Sequence, residues 1–63
     1  MFEFIRNLTG RGWTVTIGAI GVTATKTVKG VDVKINEQWH DYPSMETSLE
    51  LLCNASKQHE EQS

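Results

Sequence analysis

Sixty-three residues make a single small domain, 1–63. It lies near the lower size limit for one hydrophobic core and has no room for an enclosed pocket of enzyme size. A lone Cys53 excludes an internal disulfide framework, and a net charge of −2 excludes a general attraction to nucleic acid. No window is apolar enough to span a membrane, and Met1–Arg6 lacks the basic and apolar regions of a secretory signal, so the expected compartment is the cytoplasm.

In chain order, Phe2, Ile5 and Leu8 are spaced as one face of a helix. This predicts a short N-terminal helix over 1–9, ended by Gly10 and Gly12. A threonine ladder follows. Threonine alternates with a mostly apolar residue through Trp13–Ile17 and again through Val22–Val28, the period-two pattern of strands with one buried and one wet face. Lys29-Gly30 suits a two-residue hairpin turn and Gly18–Gly21 a four-residue connection. The first turn pairs Val28 with Val31, Lys26 with Val33 and Ala24 with Ile35. The second pairs Ile17 with Val22, Val15 with Ala24 and Trp13 with Lys26. Directly opposed residues share a face, so both hairpins put Trp13, Val15, Ile17, Val22, Ala24, Val28, Val31, Val33 and Ile35 on one buried side. Lys26 is the intruder, with its stem expected along the Trp13 ring and its ammonium outside. The opposite face carries Thr14, Thr16, Thr23, Thr25, Thr27, Asp32, Lys34 and Asn36, with no aromatic residue.

The sheet is expected over 12–39. Pro43-Ser44 then opens a C-terminal helix over 44–58, capped by Ser44 and with Glu46 in its first turn. Its core stripe is Met45, Leu49, Leu52 and Cys53, leaving Leu51 at the far edge. Residues 59–63 are expected to fray. The predicted fold is α+β: a three-stranded antiparallel meander with a short N-terminal helix and a C-terminal helix packed on one face, in the order α-β-β-β-α.

That order and length resemble the double-stranded-RNA-binding domain in topology only. The resemblance implies a lysine cluster at the start of the last helix to grip phosphates. The matching stretch here, Ser44–Glu50, carries Glu46 and Glu50 and no base. A weaker nucleic-acid reading rests on Arg11, Lys26, Lys29 and Lys34 near the second hairpin. Residues 1–34 balance at +3 and residues 35–63 at −5, so the chain is bipolar along its length.

Chemistry is sparse. His40 beside Asp41 could form a base and its orienting carboxylate, but chain neighbours are not expected to face each other, and the nearest nucleophile, Cys53, belongs to a core stripe. No closely spaced pair of metal ligands occurs and no cofactor is implied. The expected function is therefore non-enzymatic protein binding. Its partner surface is Trp39, His40, Asp41 and Tyr42, a run rich in the side chains that anchor interfaces. The competing expectation is that Trp39 or Tyr42 folds back to close the small core. Trp13, Thr14, Val15, Thr16 and Ile17 form a strand edge without charge or proline. With Leu51 they are the candidates for self-association into a homodimer. Size and style suggest a phage or mobile-element accessory protein that inhibits a host enzyme or defence complex by steric blockade. The nucleic-acid-associated module is the alternative.

Overall fold

The threonine alternation is realised as a three-stranded sheet with one dry face. The computed structural model describes residues 2–61. Within them run α1 (Phe2–Gly10), β1 (Thr14–Ile17), β2 (Gly21–Val28), β3 (Val31–Gln38), a 3₁₀ turn (Trp39–Asp41) and α2 (Met45–Glu61). The sheet is antiparallel in the order β1-β2-β3. Its register is the one expected from turn parity: Ile17 opposite Val22, Val15 opposite Ala24, Ala24 opposite Ile35 and Val28 opposite Val31. α1 packs on β1, α2 packs on β2 and β3, and the two helices pack on each other. The result is two layers with one open sheet face.

Five expectations need correction. First, β1 begins at Thr14, not Trp13. The cause lies in how α1 stops. Trp13 N–H donates to the Leu8 carbonyl (3.0 Å) and Gly12 N–H to the Thr9 carbonyl (3.1 Å), with Gly12 at φ 94°. This is a Schellman end, in which only the left-handed glycine satisfies both last carbonyls and the following residue folds back onto the helix. Trp13 is that residue. It joins Leu8 in the core, 2% exposed. The terminator is thus Gly12, while Gly10 lies inside α1.

Second, Ile17 and Val31 sit on the apolar side of the sheet but are 52% and 63% exposed, because the helices do not reach these strand ends. Third, Met45 is 40% exposed rather than in the core stripe. The buried face of α2 is Ser48, Leu49, Leu52, Cys53 and Ser56. Its small side chains let the helix approach its neighbours closely. Ser44 caps the helix as expected, its Oγ accepting from Thr47 N–H at 3.3 Å.

Fourth, the helix continues to Glu61. Residues 59–61, expected to fray, are helical, and Glu60 is bound from three sides. Gln62 and Ser63, the rest of that tail, and Met1, the expected start of α1, lie outside the described residues. Fifth, Lys26 Nζ stands 5.9 Å from the Trp13 ring centroid but is not outside. It donates to the Arg11 carbonyl and to Glu60 Oε1. Among the described residues, no helix is long and apolar enough to cross a membrane.

Candidate functional site

The chain leaves the sheet through the 3₁₀ turn, and the residues expected to face a partner divide there. Trp39 is half-buried against the core. Its backbone N–H donates to the Ile20 carbonyl (2.9 Å) and its indole N–H to the Gly18 carbonyl (3.1 Å). Tyr42 is also half-buried, and its hydroxyl donates to Glu37 Oε2 at 2.6 Å. That bond to the Glu37 carboxylate raises the Tyr42 pKa above 10.0. His40 and Asp41 project into solvent, their side chains 71% and 54% exposed. The expected cluster therefore has two anchors and two presented residues. The core-closing reading holds for Trp39.

The two Trp39 bonds pin the β1–β2 connection to the start of the 3₁₀ turn. They bring up Ile20, 69% exposed at the tip of that connection, which sequence reasoning passed over. Its only signal was an isolated large apolar residue in Gly18-Ala-Ile-Gly21, a stretch otherwise built for turning. At Gly21 the strands run so close that a Cβ would collide with the Glu37 carbonyl oxygen. The end of the molecule is thus held by backbone contacts as well as by Trp39.

Contrary to the expectation for chain neighbours, His40 Nε2 and Asp41 Oδ1 stand 3.5 Å apart. Cys53 is 3% exposed, with its Sγ 3.3 Å from Asn7 Oδ1. It lies between the two helices, away from the solvent that His40 faces. Among the described residues, no group of three histidines, cysteines or acids is placed to hold a metal ion.

The basic patch is corrected. Arg11 Nη1 donates to Glu60 Oε2 (2.8 Å) and its Nη2 to Ser56 Oγ (2.7 Å). Lys26 Nζ and Trp13 Nε1 both donate to Glu60 Oε1, at 3.0 and 2.9 Å. The Trp13 bond, then Lys26 and Arg11, hold the Glu60 carboxyl down to about 2 from 4.5. Two of the four cations are therefore spent on fastening α2 to the α1–β1 turn and to β2. Lys29 and Lys34 remain exposed, on a hairpin that also carries Asp32. Folding has intermixed the two charge halves of the chain.

The threonine face is wet and bare. Thr23 donates to Asn36 Oδ1 (2.6 Å) and Thr27 to Asp32 Oδ1 (2.7 Å). Shallow depressions of about 300 and about 530 Å³ lie at its two ends, neither lined by an aromatic ring. Bases have nothing to stack on there. Leu51, 37% exposed, lies about 200° around α2 from Leu49 at the usual helical pitch. It points outward and is not on the edge formed by β1.

No protein-family model, curated protein or solved structure matches this chain.

Proposed function

We propose that this chain is a small docking module that acts by occupying the surface of another protein. One observation carries the reading: Trp39 bonds the β1–β2 connection to the 3₁₀ turn, and the end so fixed presents Ile20, His40 and Asp41. An exposed apolar side chain on a pre-ordered support gives up little freedom on binding, which is how few residues come to dominate an interface. In the accessory-protein setting expected from its size, the partner would be a host enzyme or defence complex, blocked sterically. The nucleic-acid alternative is weakened by the commitment of Arg11 and Lys26 to Glu60.

Site-specific photo-crosslinking in the native cell tests this reading. A photoreactive residue at Ile20 or His40 should trap one discrete protein, and the same residue at Thr27, at the other end of the sheet, should not. With the trapped protein purified, Ile20→Asp should weaken its binding by about 30-fold, the scale of losing one hot-spot residue. Moderate salt should change the affinity little. Equal trapping at all positions, or none at Ile20 and His40, would sink the reading. Salt-steep binding of RNA or DNA would favour the alternative.

A further inference from the structure

The free edge of the sheet carries an inference independent of the docking reading. Antiparallel ladders alternate, so each residue of an edge strand directs its N–H and C=O either toward its neighbour or away. The phase is fixed by Gly18, whose N–H donates to the Gly21 carbonyl at 2.8 Å. Two residues back, Thr16 opposite Thr23 exchanges bonds with β2, and so does Thr14 opposite Thr25. Val15 and Ile17 therefore direct their N–H and C=O groups outward, and among the described residues no hydrogen bond reaches them. The side chains on this strand are two threonines, a half-buried valine and Ile17, 52% exposed. It has neither the charge nor the proline that blunts an edge.

We infer that a second copy of this chain pairs with β1, antiparallel, about a two-fold axis through Thr16. Only this register uses every outward group. Val15 of each copy faces Ile17 of the other and exchanges two bonds with it, four in all. A two-fold axis through Val15 would set Ile17 against Trp13, which is not in the strand. One through Ile17 would set Val15 against Ala19 in the loop. In the Thr16 register Val15 meets Ile17 on the apolar side, Thr16 meets Thr16 on the wet side, and the two sheets join into six strands. The other edge is guarded by charge. In β3 the outward residues include Asp32 and Lys34, the kind of side chain that blunts an edge.

Thr16 of the two copies would form a non-hydrogen-bonded pair, the closer kind in such a ladder. This makes the register testable. Sedimentation equilibrium should give twice the monomer mass for the native chain. Thr16→Lys, at an exposed wet-face position, should give the monomer mass with an unchanged circular dichroism spectrum. Thr16→Cys should form an intermolecular disulfide under mild oxidation, since the two Cα atoms fall within the roughly 4.4–6.8 Å a disulfide spans. Thr14→Cys should not, because its two copies stand four residues apart, about 14 Å. Buried Cys53 leaves the native chain as the uncross-linked control. Should Thr16→Lys unfold, the two cysteine variants still decide. A native monomer, or a dimer in which Thr14→Cys cross-links as readily as Thr16→Cys, would overturn the inference.

Discussion

Glu60 is one carboxylate answering three donors from two other parts of the fold. Its hydrogen bonds to Trp13, Lys26 and Arg11 exist only in the folded chain, and they favour the ionised form, which lowers its pKa to about 2. A depressed folded-state pKa contributes stability that is whole above the unfolded value, near 4.5, and is lost as the pH falls toward 2. A quarter of the side chain still faces water, so solvent screens part of the effect. Thermal melts should therefore show the native chain losing stability between about pH 4.5 and 2 more steeply than Glu60→Gln, with the variant weaker at neutral pH and the two curves converging in acid. Parallel curves would mean that the three donors do not discriminate the charged form. None of this was legible in the sequence. An ion pair between residues 11 and 60 leaves no periodicity, and a polar C-terminal run reads as fraying. Trp13 was more recoverable. The segment Leu8-Thr-Gly-Arg-Gly-Trp13 holds a glycine one residue before an apolar one, the spacing of a Schellman end, but the threonine alternation running through Trp13 masked it.

Among the elements, the β2–β3 hairpin shows why the sheet could be read from sequence and what it costs. Strand parity is binary, so two turns that agree on one dry face determine the whole register. The helices offered no such check, and the core stripe of α2 came out one turn displaced, with Ser56 in and Met45 out. Within the hairpin turn both central residues have positive φ, Lys29 at 51° and Gly30 at 81°. Glycine adopts this freely, whereas a lysine there bears a cost of about 1–2 kcal/mol that asparagine largely avoids. Lys29→Asn is thus expected to stabilise the chain by roughly 0.5–1 kcal/mol in urea titrations. No gain would indicate that the turn relaxes in solution. The docking end was half legible for a related reason. Aromatic-rich Trp39–Tyr42 stands out by composition, but which rings turn inward depends on the distant carbonyl of Gly18.

At the scale of the whole molecule, the strand between the two edges divides its work by parity. Thr23 and Thr25 of β2 bond to β1, while Val22, Ala24, Lys26 and Val28 bond to β3. The same even-numbered residues face the helices, Lys26 among them through its bond to Glu60 of α2. Partner strand and sheet face are therefore tied to a single count along β2. The consequence concerns length rather than composition. Removing one residue anywhere in Gly21–Val28 would exchange both assignments downstream at once, sending threonines into the core and Val or Ala into water. In a library of single-residue deletions scored for folded protein, losses should be complete across residues 21–28. Deletion of Pro43, in the connection outside strand and helix, should survive. If that contrast holds, variants of this fold can lengthen or shorten only where the chain turns, and β2 is the ruler against which every other element is set.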